Sequence, residues 1–242
     1  MAERLTNQVV VVVGASSGIG RETAILFARE GALVMAAARR EDRLSGLKKD
    51  LAAEGHAIEI AIADASKAGD MDRLIADTRK RLGEIDILVY NTGTNVKDRA
   101  LKRLTPAIWD MMISVNLSGA YYATQAVLPS MRERKAGHLI YVASISALVP
   151  DISGAAYQAA KRGVVGMAHA VRVEEKENGI RTCAVCPGLV DTEILENRPV
   201  KPSAETLAMA LQPGDVAAAI LAVAKMPARV TVPEMQVMPT YL

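Results

Sequence analysis

The sequence is poor in aromatic residues, with one tryptophan, one phenylalanine and six tyrosines among 242 positions. A core made from it has to be aliphatic, which suits strands sandwiched between layers of helices. Cysteine is also scarce. Cys183 and Cys186 form a C-x-x-C spacing, but Arg181 to Val185 reads as a buried strand, and residues three apart in a strand point to opposite faces. They are expected to be ordinary core thiols and not a redox pair. The three histidines, His56, His138 and His169, are scattered without metal-ligand spacing, so no metal site is expected.

No charge of one sign dominates. Lys and Arg number 29 against 27 Asp and Glu, and a net charge of +2 gives no general field to attract nucleic acid or anionic lipid. No apolar run approaches the ~18 residues of a membrane span. The valines Val9 to Val13 lead straight into a glycine-rich segment that removal of a cleaved leader would destroy. The expectation is a soluble, untargeted, cytoplasmic protein with neither a nucleic-acid nor a membrane partner. No internal repeat, low-complexity tract or long linker marks a second domain, so residues 1–242 are read as one.

Strand-length apolar runs alternate with segments of helical period. The predicted strands are Val9–Val13, Leu33–Ala37, Ile58–Ile62, Ile85–Tyr90, His138–Ala143, Arg181–Val185 and Thr231–Val237. The predicted helices are Ile19–Glu30, Asp42–Glu54, Ala68–Leu82, Pro106–Arg134, Ala155–Asn178 and Asp215–Lys225, with Gly31, Gly55, Gly83 and Gly179 as C-terminal stops. This alternation implies an α/β fold: a doubly wound, seven-stranded, mostly parallel sheet with helices on both faces. Gly188 to Pro213 is irregular and contains Pro199, Pro202 and Pro213. It follows a strand's carboxyl end, where ligands bind in such sheets, so residues 189–212 are expected to form a mobile substrate loop, with a plain surface loop as the competing reading.

Gly14-Ala15-Ser16-Ser17-Gly18-Ile19-Gly20 follows the first strand and opens the first helix. Glycines in that setting let the backbone approach a pyrophosphate at a helix N-terminus. The spacing Gly-x-x-x-Gly-x-Gly resembles the short-chain dehydrogenase/reductase family. Asp64, Asn91-Thr92-Gly93, Asn116, Ser144, Tyr157-x-x-x-Lys161 and Pro187-Gly188-x-Val190-x-Thr192 then follow in the family's order and approximate spacing, over nearly the whole chain. Thr92 replaces the family's usual alanine, and Val13 its usual threonine before the first glycine.

The resemblance implies a Rossmann fold and hydride transfer between a nicotinamide cofactor and a small carbonyl or alcohol. It gives Gly14, Ser16, Ser17, Gly18, Ile19 and Gly20 to the cofactor's phosphates, Asp64 and Ala65 to adenine, and Asn91 and Gly93 to the adenosine ribose. Pro187, Gly188, Val190 and Thr192 would flank the nicotinamide. NAD-using members carry an acidic residue at the end of the second strand, where this chain reads Ala38-Arg39-Arg40. An arginine there can pair with the 2′-phosphate of NADP, so NADP(H) is expected over NAD(H), with Arg39 and Arg40 as its readers. Many NADP-dependent relatives carry a second basic residue where Ser17 stands.

Carbonyl reduction needs a proton on oxygen, and a phenol of pKa ~10 needs a nearby cation to work near neutrality. Tyr157 and Lys161 are four apart on a predicted helix, which stacks them on one face. Ser144, at the end of a predicted strand, would hold the substrate oxygen, with Ser146 the runner-up. By resemblance, Asn116 would place a water beside Lys161, and Lys161 would also bond the nicotinamide ribose.

Pocket walls are expected at Asn95 and Val96, Ile145 to Gly154, and Leu189 to Thr206. The segment Val232 to Thr240 resembles relatives that oxidise 3-hydroxy acids. Arg198 or Lys201 could then meet a carboxylate, although solvated loop charges are the simpler explanation for them. By resemblance the chain forms a homotetramer or homodimer through the helices spanning Pro106–Arg134 and Ala155–Asn178. Two other functions compete: a cofactor-binding regulator or scaffold without turnover, and a sugar-nucleotide epimerase or dehydratase, which usually needs a larger C-terminal domain.

Overall fold

The computed structural model describes residues 5–241. Seven strands, β1 (Val9–Val13), β2 (Leu33–Ala38), β3 (Ile58–Ile62), β4 (Ile85–Tyr90), β5 (Gly137–Val142), β6 (Ile180–Pro187) and β7 (Glu234–Val237), form one sheet in the order β3-β2-β1-β4-β5-β6-β7. Every pairing is parallel. The helices are α1 (Gly18–Arg29), α2 (Glu41–Ala53), α3 (Ala68–Leu82), α4 (Pro106–Ile113), α5 (Gly119–Arg134), α6 (Ala155–Glu174), α7 (Ala204–Met209) and α8 (Pro213–Ala224).

The five consecutive valines of β1 show why this chain makes a two-faced core. Val9, Val11 and Val13 pack with Met71 and Leu74 of α3, Ala123 and Val127 of α5, and Val164 of α6. Val10 and Val12 point the other way, to Phe27 of α1, Leu47 of α2 and Ile220 of α8. Period-2 alternation within an all-apolar run feeds two helix layers at once. Cys183 and Cys186, three apart on β6, fall into the two opposite layers, both fully buried and both free thiols. Strand order reverses between β1 and β4, and a crevice opens there at the strands' carboxyl ends.

Most boundaries fall within two residues of the sequence expectation, and three elements depart from it further. The helix expected to run unbroken over Pro106–Arg134 is interrupted by a π-helical turn at Ser114–Ser118. Periodicity does not reveal such a turn, because a single turn of five residues is too short to define a period of its own. Its Val115 carbonyl accepts from the Tyr90 hydroxyl at 2.8 Å, and α5 then starts at Gly119, where a Cβ would lie 2.2 Å from that hydroxyl. The helix expected to reach Asn178 stops at Glu174 and ends in a separate 3₁₀ turn, Lys176–Asn178. β7 begins at Glu234 and not Thr231, since Pro233 has no N–H to give the edge of a ladder.

The stretch after β6 is more structured than an irregular loop. It contains a 3₁₀ turn at Glu193–Asn197, the short helix α7, and a parallel bridge between Val190 and Leu211. Among the described residues no helix is long and apolar enough to cross a membrane, and no group of three potential metal ligands is gathered.

Candidate active site

A cavity of about 470 Å³ lies along the carboxyl ends of β1, β2, β4, β5 and β6. Gly14 leaves β1 at φ +92° and its N–H donates to the Ala37 carbonyl at 2.8 Å. Gly18 begins α1 at φ +54°, and Ser17, the residue before it, makes no capping bond with its side chain. The first N–H groups of α1 thus remain available to an anion. Gly20 does not line the cavity. A Cβ on it would fall 2.2 Å from the Gly14 carbonyl oxygen and 2.6 Å from Asn91 Nδ2, so its role is to let helix and loop close on each other. Asn91 Nδ2 also donates to the Gly14 carbonyl at 3.3 Å, tying the loops after β1 and β4.

At the adenosine-side end, Arg39 is exposed and lines the cavity, whereas Arg40 is half-buried and engaged. Arg40 donates from Nη2 to Ser17 Oγ at 2.7 Å and to Ser16 Oγ at 2.9 Å, and from Nη1 to Glu193 at 2.8 Å. Asp64 accepts from the Ser66 N–H and hydroxyl through a single oxygen, Oδ1, at 3.0 and 2.8 Å. Burial opposes its charge, but the Ser66 bonds, Arg39 and Lys67 outweigh burial and hold the carboxyl below its ordinary value. The strand-end turn and a cavity-facing carboxylate are therefore both present in this one residue.

At the other end, α6 carries Tyr157 and Lys161, and Ser144 caps the short 3₁₀ turn after β5. The Lys161 ammonium lies 5.8 Å from the centre of the Tyr157 ring and donates to the Val142 carbonyl at 2.9 Å. Burial pushes its pKa down to about 8. Burial also pushes the Tyr157 phenol up to about 12, the Ser144 hydroxyl pulls it back, Asp151 raises it further, and Arg99 and Arg198 lower it. Two arginines therefore act on the phenol in addition to the Lys161 ammonium held beside its ring.

Ser144 and Ser146 are not equivalent. Ser146 is 2% exposed and donates to Asp151 Oδ2 at 2.5 Å, and Ser144 accepts the Ser146 N–H at 3.2 Å. Ser146 therefore holds the turn, and Ser144 is left the freer of the two. Asn116 sits in the π-helical turn, fully buried and away from the cavity wall. Its amide clasps Thr94 through both N–H and carbonyl, and the Met112 carbonyl. A Cβ on Gly93 would stand 3.2 Å from Asn116 Oδ1 and 3.3 Å from Lys161 Nζ, which places all three side by side.

Gly14, Ser16, Ser17, Gly18, Ile19, Arg39, Arg40, Asp64, Ala65, Asn91, Gly93, Ser144, Tyr157, Lys161, Pro187, Gly188, Val190 and Thr192 all line this cavity. Of the expected walls, Asn95 lines it and Val96 does not. Lys201 points elsewhere, paired with Glu196. Asp151 lies within the expected wall Ile145 to Gly154, whereas sequence reasoning missed Arg99. Arg99 stands in a polar stretch of loop with no spacing motif, and only the fold turns it inward. The glycine cradle, the uncapped helix start and the arginines at the far end fit a nicotinamide dinucleotide.

Comparison with known proteins agrees with this geometry. The chain matches the family model of the short chain dehydrogenases over residues 8–202. It is 34% identical to an uncharacterized oxidoreductase of Staphylococcus aureus strain MRSA252, over 97% of this chain and 98% of that one. It is 36% identical to the (2S)-[(R)-hydroxy(phenyl)methyl]succinyl-CoA dehydrogenase subunit BbsD of Thauera aromatica, over 81% of this chain and 79% of that one. The solved closed form of a serine dehydrogenase complexed with NADP+ matches with a TM-score of 0.87 at 31% identity, covering 95% of this chain and 94% of that one. The fold, the cavity and these likenesses together make the chain an oxidoreductase belonging to the short chain dehydrogenase family.

Proposed function

We propose that the protein interconverts a small secondary alcohol and its carbonyl, prefers NADP(H) to NAD(H), and uses Tyr157 as general acid and base. The observation that carries this reading is the meeting of Ser144, Tyr157 and Lys161 in the cavity whose far end is lined by Arg39 and Arg40. A nicotinamide dinucleotide bound there supplies or takes up the hydride, which no protein side chain can do. Gly14, Ser16, Ser17, Gly18 and Ile19 at the start of α1 bind its phosphates, Asp64 and Ala65 its adenine, Asn91 and Gly93 its adenosine ribose, and Pro187, Gly188, Val190 and Thr192 flank its nicotinamide.

Ser144 holds the substrate oxygen beside the phenol, and Tyr157 gives that oxygen a proton in reduction and removes it in oxidation. Lys161 bonds the nicotinamide ribose, and with Asn116 it links the phenol to solvent. Residues 189–212 close over the substrate. Tyr121 and Val173 leave apolar surface on α5 and α6, which supports self-association of the chain as a homotetramer or homodimer. The regulator and epimerase readings gain no support from a site with its proton-transfer groups assembled.

The test is a fluorescence titration with NADPH and NADH, followed by turnover assays of Tyr157→Phe. The reading expects tighter NADPH binding, and a variant that binds NADPH nearly as well but does not turn over. Binding of neither cofactor, or undiminished turnover in the variant, rejects it.

A further inference from the structure

We propose that the substrate carries a carboxylate, seated between Arg99 and Arg198 at the Tyr157 end of the cavity. This rests on the oxidoreductase reading above and names the substrate class.

Arg99 is 8% exposed, an uncommon position for a guanidinium. Its Nε donates to the Val96 carbonyl at 3.0 Å and its Nη2 to the Asn197 carbonyl, both neutral acceptors. Among the described residues no carboxylate lies within ion-pair distance of Arg99 or Arg198, and no acceptor is paired with Arg99 Nη1. The other cations at the mouth are spoken for: Arg40 and Arg43 by Glu193, Lys201 by Glu196, and Arg103 by Asp98. Among the described residues Arg39 at the far end and Lys161 beneath Tyr157 also lack an ion-pair partner, but Arg99 and Arg198 are the two arginines that line the cavity beside Tyr157, and neither is paired with an anion.

Their placement is built in. A Cβ on Gly154, which precedes α6, would lie 2.8 Å from both Cβ and the carbonyl oxygen of Arg99. The backbone of Arg99 is thus packed against the start of the helix that carries Tyr157. By holding the Asn197 carbonyl, Arg99 also fixes the residue before Arg198, which is half-buried and lines the same cavity.

Asp151 is the one acidic side chain at this end of the cavity, and it forms no ion pair with either arginine. Its Oδ2 accepts from the Ser146 and Ser153 hydroxyls at 2.5 and 2.9 Å, and its Oδ1 from the Ser153 N–H at 2.8 Å. Burial first, and then Arg198, push the Arg99 pKa down, and Tyr157 and Asp151 only partly offset them, so the two cations are close enough to repel. A buried charge without a counter-ion is costly, and a carboxylate between two planar guanidinium forks relieves both burial and repulsion. A neutral substrate relieves neither.

The experiment has two arms. In the first, the cofactor-loaded enzyme is assayed with lactate, glycerate and 3-hydroxybutyrate, each against its uncharged amide, and with neutral alcohols and ketones. In the second, calorimetry compares malonate with malonamide, neither of which has an alcohol to oxidise. The expected result is acid over amide in kcat/KM, malonate over malonamide in affinity, and a fall of about 10- to 100-fold in both ratios in Arg198→Gln.

Arg99→Lys keeps the buried charge and loses the fork, so it should lower both ratios less, and it replaces Arg99→Gln should that variant not fold. Turnover of neutral alcohols with no preference for acids overturns the carboxylate site and leaves the oxidoreductase reading intact. No turnover of any substrate, with malonate binding that Arg198→Gln weakens, overturns the reading and supports the anion site. Ratios that survive Arg198→Gln overturn the assignment of these residues.

Discussion

Arg40 holds the Glu193 carboxylate at 2.8 Å across 153 positions of sequence. The same guanidinium bonds the hydroxyls of Ser16 and Ser17, so one side chain joins the glycine loop after β1 to the segment after β6. Arg43 pairs with the other Glu193 oxygen. Hydrogen bonds from Arg40 and Arg43 drive the Glu193 carboxyl down to about 2, which keeps the pair ionised throughout any ordinary working range. Glu193 thereby occupies Arg40, one of the two proposed readers of the 2′-phosphate.

Glu193→Gln should therefore tighten NADPH more than NADH. The ion pair is solvent-exposed, worth about 1 kcal/mol or less, so the gain is about 3- to 5-fold in NADPH affinity. Parallel fluorescence titrations measure it. An equal change for both cofactors would show that Glu193 and the phosphate do not compete for Arg40.

Arg39 and Arg40 should separate in the same assay. Arg39 is exposed and has no hydrogen-bond partner for its side chain among the described residues, so Arg39→Ala removes a phosphate reader and little else. NADPH should weaken about 10-fold, with NADH nearly unchanged. Arg40→Ala also releases Ser16 and Ser17, so it should weaken both cofactors. Equal losses in Arg39→Ala would take Arg39 out of phosphate recognition.

Elements that depend on local pattern were legible in the sequence. The valine run gave β1 to the residue, and period-2 alternation placed Cys183 and Cys186 on opposite faces of β6. What depends on a fifth backbone atom, or on distant contacts, was not. The π-helical turn holding Asn116 spans only Ser114–Ser118, too few residues for a period to mark it. Arg99 sits in a Lys97-Asp98-Arg99 charge run that reads as solvated, and its burial follows from packing against Gly154, 55 positions later. The glycine loop, Tyr157 and Lys161 stood out because fixed chemistry demands fixed spacing. A substrate pocket carries no such spacing, so Arg198 was legible only as one charge in an expected wall, and Arg99 surfaced only in three dimensions.

Ser144→Ala tests how the phenol is tuned. Burial holds Tyr157 up at about 12, and the Ser144 hydroxyl is the largest influence pulling it down. Loss of that hydrogen bond raises the phenol's pKa by roughly one unit. Alcohol oxidation needs the phenolate, so the rise of its rate with pH should move about one unit to the alkaline side, and turnover at pH 8 should fall about tenfold from this cause alone. A pH profile of kcat that keeps its position in the variant rejects the pairing.

Lys161→Met tests what the buried ammonium costs. Lys161 is 3% exposed with a pKa near 8 in the folded chain, against ~10.4 unfolded. Between these values the unfolded chain binds more protons than the folded one, so this group makes stability rise with pH from about 8 to ~10.4. Below pH 8 the full penalty applies, about 3 kcal/mol, offset by roughly 1 kcal/mol for the bond to the Val142 carbonyl. Urea unfolding should thus find the methionine variant about 2 kcal/mol more stable at pH 7, with the advantage gone by about pH 10.5. A difference independent of pH would mean that Lys161 is not desolvated by the fold. The stability forgone at neutral pH keeps a cation beside Tyr157, and the variant that recovers it should lose turnover.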